Sequence, residues 1–150
     1  MADNYVLGMD CKLYFNPTAL TTAPTGAEDW TELSNAKDLD LSVDNGEADI
    51  TTRANAGWTA TAPTLKTGSI DWTMLHLPGD AGFAAIQEAW LNRAEIALAC
   101  MSGDIETADS EGLISNFVVI NFKRNEPLDG AVTVSVSVKP SSYTDWIVIS

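Results

Sequence analysis

The chain has 150 residues, 45% of them hydrophobic and 19% charged, with 21 acidic side chains against 8 basic ones and a formal net charge of −13. That length fits one domain with its own core, and that balance excludes a disordered chain. The acidity argues against tight phosphate binding, because each phosphate contact needs a Lys or Arg; it favours solubility and repels polyanions.

The sequence opens with neither a basic n-region nor an apolar stretch, so no signal peptide is expected, and no run approaches the ~18 apolar residues of a membrane helix. Period two dominates from there. Residues 6–15 place Leu7, Met9, Cys11, Leu13 and Phe15 on one face, which predicts a half-buried strand. Residues 16–29, with two prolines, a Gly and five Thr or Asp residues, read as an exposed loop, and 30–33 as a short strand. Residues 38–44 alternate Leu39, Leu41 and Val43 with Asp38, Asp40, Ser42 and Asp44, and Asn45-Gly46 resembles a hairpin turn before a strand that sets Ala48, Ile50 and Thr52 against Glu47, Asp49, Thr51 and Arg53. A long loop is expected at 54–68, from its small residues, Gly57 and Pro63.

Strand returns at 69–75, with Ile70, Trp72 and Met74 in phase. Asp80 is the expected N-cap of the one helix, 81–93, whose apolar stripe is Phe83, Ile86, Trp90 and Leu91. In 96–101 small Ala residues alternate with Ile96, Leu98 and Cys100, which predicts a strand covered on both faces. After a polar loop, 113–123 alternates again. Then Val132, Val134, Val136 and Val138 oppose Thr133, Ser135, Ser137 and Lys139. The tail, about 141–150, ends on Trp146, Ile147, Val148 and Ile149, whose apolar surface calls for docking on a partner or on the chain's own core. No linker or repeat divides the chain, so 1–150 reads as a single domain: mainly β, an antiparallel β-sandwich or barrel-like domain of two packed sheets with one packed α-helix.

Catalytic chemistry has little to stand on. The single histidine, His76, sits among apolar residues, and no Ser lies in a nucleophile-elbow context. One His and two separated Cys do not make a zinc set; Cys11 and Cys100 read as core thiols, with a disulfide as the alternative. Asp40, Ser42 and Asp44 occupy positions one, three and five of a notional EF-hand loop, but Asn45 stands where Gly is required and Thr51 where Glu is. No enzyme activity, cofactor or metal is therefore expected. The polar strand faces, carrying Asp38, Asp40, Ser42, Asp44, Glu47, Asp49, Thr51, Thr133, Ser135 and Ser137, describe either an ordinary solvent face or a wet, mainly anionic lining that a polyanion slides past.

The opening Asn4-Tyr5-Val6-Leu7-Gly8-Met9-Asp10, the stretch Gly46-Glu47-Ala48-Asp49-Ile50-Thr51-Thr52-Arg53-Ala54-Asn55 through Trp58 to Lys66, and the ending Phe122-Lys123-Arg124-Asn125 with Val132 to Pro140 resemble the bacteriophage tail tube (major tail) protein family. The resemblance spans nearly the whole chain and its motifs are structural. It implies a structural subunit of the virion tail, made in the host cytoplasm, that forms homohexameric rings stacked around a channel for DNA. It implies that about four strands per subunit join an inter-subunit β-barrel, with Asp38, Asp40, Asp44, Glu47, Asp49, Thr133, Ser135 and Ser137 facing the lumen. The long loop would reach the next ring through Arg53, Asn55, Trp58, Leu65 and Lys66, while Trp146, Ile147 and Ile149 would dock the tail. The implied partners are further copies of the chain, the tape measure, tail terminator and baseplate, and DNA in transit, with no membrane. The alternative is a solitary β-sandwich that binds carbohydrate or another ligand, using Trp58 or Trp30 as a stacking platform.

Overall fold

A computed structural model describes residues 6–150; Asn4 and Tyr5, where the resemblance begins, lie outside the described residues. Seven strands form one sheet in the order β2-β1-β5-β6-β7-β4-β3: β1 (Lys12–Asn16), β2 (Thr31–Glu32), β3 (Ala36–Asp49), β4 (Thr61–Leu75), β5 (Ile96–Met101), β6 (Glu111–Asn125) and β7 (Thr133–Val148). Every neighbouring pair is antiparallel. The helix α1 (Ala81–Asn92) starts where expected, with the Asp80 carboxylate accepting the Phe83 N–H at 3.0 Å.

The mainly antiparallel fold with one helix is as expected from the alternation. The two expected sheets are, however, one sheet folded on itself. β6 and β7 pair along their whole lengths, from Glu111 opposite Val148 to Asn125 opposite Thr133. β5 joins only the first half of β6, and β4 only the first half of β7, so each long strand serves two halves of the molecule. Register irregularities between Ile114 and Phe117 and between Val119 and Asn121 let β6 bend between those halves. The other border is nearly closed by the run from β2 into β3: Leu33 N–H donates to the Leu13 carbonyl, and two residues on the Leu75 N–H donates to Asn35. The sheet thereby becomes barrel-like, and it encloses Leu13, Phe15, Leu33, Trp72, Met74, Phe117, Val134 and Val136 together with Phe83 and Ile86 of α1.

A second apolar cluster lies on the opposite face of β1, β5 and β6. Tyr14, Ala97, Ala99, Met101 and Ile114 are covered there by Leu20 and Ile105 from loops and by Trp30, Ile147 and Ile149. All six residues of β5 are therefore buried, as its small alanines predict. The buried amide of Asn116 straps this cover down: its Oδ1 accepts the Leu20 N–H at 2.6 Å, and its Nδ2 donates to the Leu20 carbonyl and the Ser142 hydroxyl at 3.0 Å. Close approach is enforced nearby by Gly112, where any Cβ would overlap the Cys100 carbonyl.

Four sequence expectations are corrected. Residues 6–11 are not strand: Gly8–Asp10 form a single 3-10 turn, and Leu7, Met9 and Cys11 are exposed, because β5 ends at Met101 and offers no partner beyond Lys12. Asn45-Gly46 makes no turn; β3 runs straight through it, with a register irregularity between Asn45 and Glu47. The loop at 54–68 is shorter than expected, since β4 begins at Thr61 and includes Leu65 and Lys66. Cys11 is not a core thiol; both cysteines are free, and only Cys100 is buried.

Two outcomes follow. Replacing Asn116 with Ala strands the Leu20 backbone and is expected to cost about 2 kcal/mol, read as a lowered urea midpoint of the isolated chain. Burial, then the nearby Cys11, pushes the Cys100 thiol up to about 11, so its reactive thiolate is scarce at neutral pH. A thiol reagent at pH 7 should label one cysteine, Cys11, and the second only after unfolding; two fast equivalents in the native chain would contradict this packing.

Candidate functional site

Two surfaces stand out, and both are built by β3 and β4. The first is a polar face shared by four strands. Cross-strand pairing sets Asp40 beside Asp71, Asp71 beside Ser137 and Ser137 beside Asn121, so one line crosses β3, β4, β7 and β6. The next line sets Thr73 beside Ser135 and Ser135 beside Lys123. Alternation puts these residues on one face because their neighbours, Ile70, Trp72, Met74, Val134, Val136 and Val138, point into the core. The Ser137 hydroxyl donates to the Asp71 carboxylate across the strands.

The expected lumen residues divide accordingly. Asp40, Thr133, Ser135 and Ser137 belong to the four-strand face, and Asp38 lies at its border, where β3 is irregular between Ala36 and Leu39. Asp44 continues the same row four residue pairs further along β3, opposite Thr67 and so beyond the last pair between β4 and β7. Glu47 and Asp49 lie outside the four-strand face, at the far end of β3 where only β4 is paired to it. Asp71 and Thr73 are the residues that sequence reasoning omitted; the phase of Ile70, Trp72 and Met74 already implied them. The charge is also uneven: Asp38, Asp40, Asp44 and Asp71 occupy the β3–β4 side, whereas Lys123 and Lys139 occupy the β6–β7 side. Asp40, Ser42 and Asp44 follow one extended strand, so their side chains step along it at about 7 Å and do not converge on a common ion.

The second surface is a projecting arm. β4 leaves β7 beyond the pairing of Ile70 with Val138, and from there to Thr61 it pairs with β3 alone. Nine residues at about 3.4 Å each carry this hairpin roughly 30 Å out from the barrel. Its tip is ordered by its own hydrogen bonds. The Ile50 N–H donates to the Ala60 carbonyl at 3.0 Å, and the Ala60 N–H to the Thr51 hydroxyl at 2.8 Å. Hydrogen bonds from the Thr51 hydroxyl and amide hold the Asp49 carboxyl below its ordinary range. Arg53–Asn55 form a 3-10 turn in which Asn55 Oδ1 accepts the Thr52 N–H at 2.7 Å. Ala56 and Gly57 then take positive φ, the second being a conformation that favours glycine.

The expected contact residues of the arm are thus not equivalent. Asn55 is spent on shaping the tip. Trp58 is 79% exposed and Leu65 81%, and Arg53 forms no ion pair among the described residues. Between the root of the arm and the outer half of β7 lies an open cleft of about 930 Å³, lined by Asp44, Lys66, Gly68, Lys139, Pro140 and Trp146 among others. Trp146 is half exposed on its wall. Ile147 and Ile149 instead cover their own chain's second cluster, and Ile149 exchanges backbone hydrogen bonds with Asp109 and Ser110 at 2.8 Å.

The remaining candidates are structural. His76 meets the Phe83 ring edge-on at 4.7 Å, and its backbone N–H donates to Val132. Trp30 packs into the second cluster with its indole nitrogen buried, so it offers no open stacking platform. Among the described residues no cluster of His, Cys, Asp or Glu is arranged to hold a metal, and no helix is long and apolar enough to cross a membrane.

No protein-family model matches the sequence, and no curated protein matches it. Solved structures do. A chain from the tail of an empty gene transfer agent particle with C6 symmetry superposes with a TM-score of 0.72 at 13% identity, covering 97% of this chain and 98% of that one. The SPP1 tail tube gives a TM-score of 0.72 at 17% identity, covering 97% of this chain and 81% of the other. A chain of the sheath-tube complex of an extracellular contractile injection system gives 0.54 at 10% identity over 98% and 94%. At these identities the likeness is one of fold, and it extends over nearly every residue: this chain shares its fold with the chains of the gene transfer agent tail and of the SPP1 tail tube.

Proposed function

We propose that this chain is the repeating structural subunit of a phage-type tail tube: six copies close into a ring, rings stack, and the polar face of β3, β4, β7 and β6 lines a channel for DNA. The observation that carries this reading is the coincidence of that fold with a polar, net acidic face spread over four adjacent strands. About twenty-four strands at about 4.8 Å spacing and about 40° tilt give a backbone diameter of roughly 50 Å, which leaves room for a duplex inside the side chains. Carboxylates and hydroxyls on such a wall repel phosphate or bind it weakly, so DNA slides without arrest. The work is mechanical and involves no catalytic step or cofactor.

The arm ties one ring to the next in this reading. Trp58 is its apolar anchor, and Arg53, Leu65 and Lys66 are supporting contacts, because these side chains are exposed on a rigid hairpin while Asn55 holds the tip. Trp146, in the cleft at the root of the arm, takes a neighbouring copy. The tape measure, tail terminator and baseplate meet the tube at its bore and ends, and the protein resides in the virion tail after synthesis in the host cytoplasm. A solitary carbohydrate-binding module retains only Trp58 as a platform, on an arm that the barrel core does not support from behind.

Negative-stain microscopy and size exclusion of the purified chain should show rings or long tubes; a stable monomer at high concentration, unpolymerised even with tail initiators present, would refute the proposal. Trp58→Ala should leave rings but abolish long stacks, and unchanged stacking would remove Trp58 as the anchor. Asp71→Lys with Ser135→Lys, in the middle of the polar face, should leave tubes intact and slow DNA delivery several-fold. Normal infectivity of that double variant would take this face off the channel wall.

A further inference from the structure

The channel reading accounts for the carboxylates and hydroxyls of the polar face but leaves one of its side chains idle. Resting on that reading, we infer that β6 over residues 118–123 is a docking rib inside the bore for a helical protein segment that carries apolar side chains between carboxylates.

The rib is made by a bulge. Phe117 is fully buried, and Val119 and Phe122 pack against the same core cluster. Strict alternation from Phe117 would turn Phe122 outward, onto the polar face. The phase changes because Val119 stands opposite Val138 and Asn121 opposite Ser137, which leaves Ile120 as an extra residue with no partner of its own in the ladder. Two successive side chains, Ile120 and Asn121, therefore share the polar face; a bulge used in this way re-aims a side chain. Val118, opposite Lys139, and Lys123, opposite Ser135, lie on that face to either side. Ile120 is 58% exposed and Val118 half-buried.

A lone exposed isoleucine is ordinary on a protein surface. This one adjoins a second apolar residue, and the lysines at the two ends, Lys123 and Lys139, form no ion pair among the described residues. A sliding duplex presents phosphates to the wall and gives Ile120 nothing to bury against, whereas a protein segment does. Charge narrows the kind of protein. Carboxylates of an acidic segment are drawn to the two lysines and repelled by Asp40 and Asp71 on the neighbouring β3–β4 side. The five steps from Val118 to Lys123 span about 16 Å, the length of about three helical turns. A helix laid along the rib sets an apolar stripe on Val118 and Ile120 while acidic residues toward its two ends meet Lys139 and Lys123.

Each such contact is small, so one copy holds the segment weakly. Copies repeated around each ring and along stacked rings multiply the contact, and firm retention comes from that repetition. A hold of this kind is strong in sum and releases one contact at a time, as a bore that also carries DNA requires.

The probe is a synthetic helical peptide of about twenty residues, with a leucine stripe flanked by glutamates, offered to tubes assembled from the purified chain and read by co-sedimentation. Wild-type tubes should retain it, and less of it in high salt. Ile120→Ser tubes should bind it at least about tenfold more weakly, as should tubes carrying Lys123→Gln with Lys139→Gln. Retention unchanged by Ile120→Ser would overturn the rib. A benzophenone at the centre of the peptide locates the contact: crosslinks should fall within residues 118–123, and crosslinks confined to the arm around Trp58 or to the cleft beside Trp146 would reject it. A short DNA duplex is the competitor for the same lysines. Retention of the duplex in place of the peptide, lost in the lysine variant and indifferent to Ile120→Ser, would make the rib a phosphate track instead. Should Ile120→Ser prevent assembly, Ile120→Thr keeps the branched shape, and the same weakening is expected of it. Tubes that bind no peptide would overturn this inference and leave the tube reading standing; a chain that never forms rings or tubes would overturn both.

Discussion

The structure depends on the pairing of β6 with β7. These are the two longest strands after the arm is set aside, and their ladder runs unbroken in partnership, though not in register, from Glu111 to Asn125. One half of the ladder lends an edge to β5, β1 and β2; the other half lends an edge to β4 and β3. A strand pair shared in this way must bend, and β6 accommodates the bend with its bulges and with a polar cluster in which the buried Ser115 and Asn116 bond to the half-buried Ser142 and the exposed Thr144. That cluster is fully engaged in hydrogen bonds, and this makes a group of hydroxyls and an amide tolerable inside a small core.

Sharing the ladder has a direct consequence for the surface. Because β5 begins opposite Phe117, half of β6 is left without a neighbour on that side, and because β4 leaves β7 at Ile70, the hairpin of β3 and β4 is left standing outside the barrel. A protein meant to remain alone would cover such borders or shorten them. Here they are long, carry charge of opposite sign, and flank a continuous polar face. The exposed apolar residues gather on the same features: Trp58 and Leu65 on the arm, Trp146 at its root, Trp90 and Leu91 over the β6 border. The isolated fold is complete as a core, while its surface leaves long strand edges and large apolar side chains uncovered.

How far the sequence could be read followed from how local each signal was. The Val-rich row of β7, the phase of Ile70, Trp72 and Met74, the Asp80 cap and the doubly buried β5 were all visible, since each reflects burial acting on neighbours two or four residues apart. The errors fell where a distant strand decided the outcome. Leu7, Met9 and Cys11 alternate like a strand but have no ladder to join, while Asn45-Gly46 carries a turn signal that the pull of β4 pairing overrides. Pro63 and the small residues near it suggested a loop, yet on an outer strand a proline leaves no central ladder position unfilled, and β4 includes it.

By itself the sequence determined the class of the chain, the positions of most strands and the helix, the alternation that separates core from polar face, and the absence of a recognisable catalytic set, because those properties are written in composition and short-range periodicity. Only the tertiary structure decided that one sheet folds on itself, that Asp71 joins Asp40 and Ser137 in a single line, that Ile147 and Ile149 are used within the chain while Trp58 and Trp146 are left over, and that two particular edges remain open. Those outcomes depend on where each partner strand begins and ends, a matter of long-range hydrogen bonding and packing that no short window of sequence contains.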